Sequence, residues 1–182
     1  MLNKAEENFV SFVAQVRRND KVVKGGKNCS YSVLVVCGDQ KGRWAIGFGK
    51  HKEVLLSKQK AIRSAKNTMM RVNLKEGRTI HHDVQASHGA TIVYIRSADK
   101  GTGIVAGGAM RLVFEALGVK DVVAKCVGSS CPHNLAIATM KALKLLRTPK
   151  MIAVMRDKPV DEIIRTGKSL SKKLGKANKE GS

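Results

Sequence analysis

The sequence predicts an α+β protein of two small sheet-and-helix domains, and three observations predict it. First, an alternating strand-like run over about Ser30–Cys37 and a second strand over about Arg43–Phe48 flank Gly38-Asp39-Gln40-Lys41-Gly42. Such Gly- and Asp-rich turns reverse the chain between antiparallel strands. Second, a helix-period stripe follows at once, and a sheet needs a helix to bury one face. Third, the second half repeats the theme with an apolar strand, a glycine-rich loop, a helix and another strand. At 182 residues and 43% hydrophobic content, the chain has a globular composition and room for two modest cores.

The first segment is ambiguous from its residues. Phe9, Val13 and Val16 have helical spacing, whereas Phe12, Ala14 and Val16 alternate as in a strand. Next comes Lys24-Gly25-Gly26-Lys27, a bare, doubly cationic turn, and then the two strands. The second of them ends in Gly47-Phe48-Gly49-Lys50. Glycines allow close approach to main chain, and cations beside them suit a polyanion pressed there. A helix is predicted from Glu53 to about Leu74, with Val54, Ala61, Ala65, Met69 and Val72 on one stripe. Lys60, Arg63, Lys66 and Arg71 fall opposite, and Lys58 must snorkel from the edge of the stripe. Asn73 and Gly77 mark its end.

Residues 75–89 read as a solvated polar linker carrying His81, His82 and His88. The second domain opens with the strand Thr91–Ile95. A helix over about Gly108–Leu117 is ended by Gly118, and a strand runs over Asp121–Val127. Pro132 suits the first turn of a helix reaching about Arg147, with Lys141, Lys144 and Arg147 on one face. Pro149 and Pro159 bound a short segment before a last helical turn near Val160–Arg165. The expected boundaries are an extension over 1–9, a first domain over 10–74, a linker over 75–89, a second domain over 90–165 and a disordered basic tail over 166–182.

Charge selects the partner class. Lys and Arg number 34 against 14 Asp and Glu, a formal net charge of +20. So large an excess opposes compaction until a polyanion neutralises it, which makes nucleic acid the leading partner and an acidic membrane surface second. No apolar run approaches the ~20 residues that span a bilayer. The start, MLNKAEENF, resembles neither a secretory signal nor an Arg-rich transit peptide, so a cytoplasmic location is expected. Lys21, Lys24 and Lys27 flank the first glycine turn, and Arg43, Lys50 and Lys52 the next. Together with Gly25 and Gly26 they form the predicted phosphate-contacting set. Aromatics make up only 4% of the chain, too few for a platform stacking single-stranded bases. The expected ligand is therefore folded, A-form RNA read by backbone and shape. Tyr31, Trp44 and Phe48 are assigned to the core between sheet and helix.

Enzymatic constellations are weaker. Gly101-Thr102-Gly103-Ile104-Val105-Ala106 matches a dinucleotide fingerprint, with Asp121 about twenty positions later. The fingerprint needs its acid at the carboxyl end of the next strand, and Asp121 precedes its strand. Cys131 and His133 lack a visible orienting acid or oxyanion donors. The four cysteines, Cys29, Cys37, Cys126 and Cys131, include no Cys-x-x-Cys, so reduced thiols are favoured over a zinc site from Cys126, Cys131 and His133. No metal and no cofactor are expected.

Several motifs recur in one order: Lys24-Gly25-Gly26, Val35-Val36-Cys37-Gly38-Asp39, Gly47-Phe48-Gly49-Lys50, Gly101–Arg111, Ala124-Lys125, Gly128-Ser129 and Pro132-His133-Asn134. By these the chain resembles the bacterial small-subunit ribosomal protein S-five family over about Val10 to Arg165. The resemblance implies a first domain with a three-stranded antiparallel sheet and a helix, similar to the double-stranded-RNA-binding fold, in which the ambiguous first segment is a strand. It implies a second domain of βαβ type with a left-handed crossover, shared with some kinases. A phosphate- or nucleotide-binding enzyme is therefore the alternative, by fold analogy alone. It further implies a non-enzymatic constituent of the small ribosomal subunit that binds rRNA and ribosomal proteins S-four and S-eight. Such a protein lies near where messenger RNA enters, aids assembly and influences decoding accuracy. Lys24 to Lys27 match the loop reaching rRNA near the spectinomycin site, and Gly103 and Arg111 match the region facing S-four. The sequence departs from the family at Lys27, where Arg is usual, at Cys29 and Tyr31, where Phe-x-Phe is usual, and at Leu55, where Pro is common.

Overall fold

A long β-hairpin opens the fold. Strand β1 (Val10–Val23) runs antiparallel to β2 (Gly26–Gly38), paired from Val10 opposite Gly38 to Val23 opposite Gly26, with one irregularity between Val13 and Gln15. This pairing resolves the ambiguous first segment as a strand, because a partner along its whole length outweighs its helical spacing. Strand β3 (Arg43–His51) pairs with β2, and two-residue β4 (Met70–Arg71) pairs with β3, giving the order β1-β2-β3-β4. The computed structural model describes residues 9–164. The expected basic tail, and all but residue 9 of the expected extension, lie outside the described residues.

Helix α1 (Val54–Asn67) ends seven residues before the expected Leu74. Thr68 leaves the helix, so Met70 and Arg71 become an edge strand and Val72 packs beyond it. The buried stripe is Ser57, Ala61 and Ala65, while Val54 is exposed. These small residues lie directly on Gly47 and Gly49 of β3. A Cβ added at Gly47 would stand 2.0 Å from the Ala61 carbonyl oxygen, and one at Gly49 would stand 2.2 Å from that of Ser57. Ser57 Oγ donates to the Tyr31 carbonyl at 2.7 Å and ties the helix to β2.

Successive strand residues face opposite sides. Val33, Val35, Cys37 and Ala45 therefore meet Ala61 and Ala65 of α1, whereas Leu34, Val36 and Trp44 look the other way. That second face is covered by α2 (Gly108–Leu117), whose Met110, Val113, Phe114 and Leu117 share its core. The expectation that Tyr31, Trp44 and Phe48 fill the α1 side is corrected by this packing. Trp44 is wholly buried, but in the α2 core; Tyr31 is half-buried, and Phe48 is 52% exposed. The Gly38–Gly42 turn locks the junction: Gln40 and Gly42 amides donate to the Ala116 and Leu117 carbonyls, each at 3.1 Å, capping the end of α2.

The second sheet has the order β5-β6-β8-β7, from β5 (Val84–His88), β6 (Thr91–Ser97), β7 (Ile104–Val105) and β8 (Val122–Gly128). β5, β6 and β8 are successively antiparallel; β7 and β8 are parallel and joined through α2. Val93, Ile95 and Val122 enter one core with α2 and α3 (Pro132–Lys144), which stops short of the expected Arg147. Residues 75–89 are not the solvated stretch expected. They contain β5 and the wholly buried Ile80, and burial pushes the His81 imidazole below its ordinary value.

All of these elements belong to the compact unit Met1–Leu146; Arg147–Ser182 forms a second. Its described part holds α4 (Pro149–Arg156), a helix where the sequence predicts only a short proline-bounded segment. The signal is present in the residues: Thr148 accepts the Met151 amide as N-cap, and Pro149 occupies the first turn. Residues 160–164 are also helical.

Candidate RNA interface

The β1–β2 hairpin carries an exposed cationic run. Every residue from Lys21 to Asn28 is exposed. Lys24 and Gly25 form the reversal, and Gly25 has φ +98°, a conformation that favours glycine at this corner. Gly26 has no positive φ, and among the described residues a Cβ at either glycine would meet no atom within 4 Å. Among the described residues nothing therefore requires glycine at 26. Its consequence is bare main chain between two lysines.

Register assigns these lysines to both sides of the ribbon. Lys21 is paired with Asn28 on one face, and Lys27 with Val22 on the other. Lys50 opposes Ser32, which in turn opposes Arg17, so Arg17 and Lys50 flank one buried serine on a shared face. Arg18, Tyr31 and His51 form the neighbouring row on the other face, and Lys52 follows just beyond β3. Arg17 and Arg18 were missed as site candidates; their position in a strand beside Lys21 was the available signal. Arg18 Nε donates to Asp20 at 3.0 Å. Hydrogen bonds to Cys29 and Arg18 hold the Asp20 carboxyl below its usual range.

Arg43 stands apart from this group. It follows the turn at the opposite end of the sheet, about 35 Å along β2 from Lys27 at ~3.3 Å per residue. Its Nε donates to Asp39 Oδ2 at 2.7 Å, while Asp39 Oδ1 accepts the Lys41 amide at 2.8 Å and the Arg43 amide at 2.9 Å. Burial alone would raise the Asp39 carboxyl, but bonds from the Arg43 side chain and these amides bring it below its ordinary value. Arg43 braces the turn that caps α2. Gly47 and Gly49 likewise serve the α1 packing rather than a polyanion.

The predicted protein-facing residues lie in the second half. Arg111 is exposed on α2 and pairs with Glu115 at 2.9 Å. Gly103 has φ +73°, and its amide donates to Asp121 Oδ1 at 2.9 Å; the Gly101 amide reaches the same oxygen at 3.0 Å. Asp121 is 4% exposed, and its Oδ2 accepts from Arg78 at 2.9 Å. The Arg78 bond, followed by the Gly103 amide, holds this carboxyl below its ordinary value. In a dinucleotide site such amides are directed at phosphate. Here two of them are engaged by the chain's own carboxylate, which speaks against the nucleotide reading.

His133 stands edge-on to Phe48, ring centres 5.9 Å apart, and Cys126 and Cys131 are free thiols. Among the described residues no group of three or more His, Cys, Asp or Glu is arranged to hold a metal ion. No described helix is long and apolar enough to cross a membrane.

Two families match along the chain: "Ribosomal protein S5, N-terminal domain" over residues 9–73 and "Ribosomal protein S5, C-terminal domain" over residues 86–156. The chain belongs to the ribosomal protein S5 family. A protein of Ehrlichia canis (strain Jake) is 53% identical over 156 residues, covering 86% of this chain and 90% of its own. One from Anaplasma marginale (strain Florida) is 54% identical over 152 residues, covering 84% and 87%. A third, from Rhodopseudomonas palustris (strain TIE-1), is 53% identical over 152 residues, covering 84% and 80%. Each is called small ribosomal subunit protein uS5. The matched segments carry both the lysine hairpin and the pinned glycine loop.

Proposed function

We propose that this chain is a structural constituent of the bacterial small ribosomal subunit in the cytoplasm, and that its β1–β2 hairpin is its principal rRNA contact. The carrying observation is the run Lys21–Asn28, exposed throughout, with cations on both faces and bare main chain at Gly25 and Gly26. Lys21, Lys24 and Lys27 contact phosphates there, and Lys50, Lys52 and Arg17 extend the track along the root of the hairpin. Arg43 supports the interface indirectly, through the Asp39 turn. Gly103 and Arg111 face a neighbouring ribosomal protein, S-four by family resemblance, and contribute to decoding accuracy. A contact with S-eight and a place near the incoming messenger RNA complete the reading. The identity of the family and the engagement of the glycine-loop amides by Asp121 both favour a structural role over an enzyme.

Salt dependence tests the reading. Binding of the full chain to small-subunit rRNA, followed by filter retention across a salt series, should give a steep linear fall of log K. Each neutralised duplex phosphate contributes a slope of about −0.9. A flat dependence would remove phosphate contact as the basis of binding.

A further inference from the structure

Asp121 joins three segments that are distant in sequence. One oxygen gathers the Gly101 and Gly103 amides, and the other takes Arg78 from the stretch before β5. The backbone repeats the tie: Lys120 and Asp121 amides donate to the Arg78 carbonyl at 2.8 and 3.3 Å, and the Val122 amide to the Gly103 carbonyl at 3.0 Å. Alternate amides converging on one oxygen make a concavity suited to an anion. In this protein that anion is internal. Gly101 and Gly103 both have positive φ, and a Cβ on either meets nothing within 4 Å. Among the described residues no steric packing at these glycines fixes the turn; the Asp121 bonds hold it together with the Thr102 bonds to the Asp99 carbonyl, and β7 follows it into the sheet.

We propose that Asp121 and Arg78 are positioning residues: together they pin the Gly101–Gly103 turn, just ahead of β7, in the shape that presents Gly103 to the neighbouring protein. The inference rests on the protein-interface reading of Gly103 and Arg111 given above. Asp121 is buried and acts through the loop, so it touches no partner itself. Removing its carboxylate empties the concavity and frees the loop, and a small carboxylate anion from solution can refill it.

The test has an exchange arm and an accuracy arm. In the purified full chain, Asp121→Ala should raise hydrogen exchange of the Gly101 and Gly103 amides by at least about tenfold, the scale of losing hydrogen bonds to a charged group. Formate, against a chloride-matched control, should restore protection. Asp121→Asn and Arg78→Lys provide graded versions if the alanine variant does not accumulate. In cells, the same variants should shift near-cognate readthrough in the direction that Gly103→Val does. Unchanged exchange in all three variants overturns the pin. Faster exchange with normal readthrough, when Arg111→Leu alters readthrough, overturns the link between pin and interface. If Arg111→Leu and Gly103→Val also leave readthrough normal, the interface reading has failed and the proposal falls with it.

Discussion

The glycines of the hairpin tip and those at the end of β3 look alike in sequence, each pair set beside lysine, yet they do opposite things. At Gly25 and Gly26 an added Cβ meets nothing; at Gly47 and Gly49 it collides with the backbone of α1. The open pair leaves main chain bare for a partner, and the filled pair lets a helix of small residues rest on a strand. A third loop, at Gly101 and Gly103, is as open around its glycines as the tip, yet its amides are held by a buried carboxylate. Empty space around a glycine beside a cation leaves main chain open to a partner, but is not by itself a site, as Gly101 shows. Where it is occupied, the glycine belongs to the architecture.

Substitution should separate the two pairs by a wide margin. Gly47→Val places its side chain within 2.0 Å of the Ala61 carbonyl oxygen, a backbone atom that cannot rotate away. A loss of ~3 kcal/mol or more in urea unfolding is expected, the upper range for overpacking. Gly26→Val, in open space, should stay within about 0.5 kcal/mol of wild type. Its expected defect lies in rRNA affinity or subunit assembly. Equal destabilisation by both would erase the distinction.

The lysines give the next largest effect. Replacing Lys21, Lys24 and Lys27 together by Ala should leave the unfolding midpoint nearly unchanged. It should also reduce the salt slope of rRNA binding by about 2.7, at ~0.9 for each phosphate that a lysine no longer neutralises. Arg43→Ala should do the reverse. It breaks a partly exposed ion pair that braces a turn, lowering stability by ~0.5–1 kcal/mol while changing the salt slope by less than a single phosphate's share. A full unit of slope removed at Arg43 would return it to the RNA-contacting group.

The smallest effect concerns acid. Asp121 has its folded pKa depressed, so its contribution to stability is fully present above the ordinary carboxylate value and is lost as pH falls through the folded one. Protection of the Gly101 and Gly103 amides should be constant from neutrality down to the carboxylate range and then decline. Arg78→Ala, by removing the first cause of the depression, should move that decline to higher pH. An unmoved decline would detach Arg78 from the carboxylate.

Much of this was legible in the residues. The β2–β3 hairpin, α2 over Gly108–Leu117, the cationic tip and the partner class all follow from local pattern or net charge, and none needs a distant neighbour to be read. The ordered motifs also pointed to the family. Other features depended on packing between segments far apart in sequence. The first segment became a strand because β2 accompanies it along its length. Period-two alternation separated Val33 and Val35 from Leu34 and Val36, but it could not say that α1 covers one set and α2 the other. Trp44 was therefore assigned to the wrong core. By sequence Asp121 is a misplaced fingerprint acid, because the Arg78 that pairs with it lies in a stretch whose residues read as a solvated linker. Periodicity and composition act between neighbours in sequence, so they determined the elements, the charge and the turns. Which face, which carboxylate and which glycine met a partner was decided only when the tertiary fold brought distant backbone within hydrogen-bond and van der Waals range.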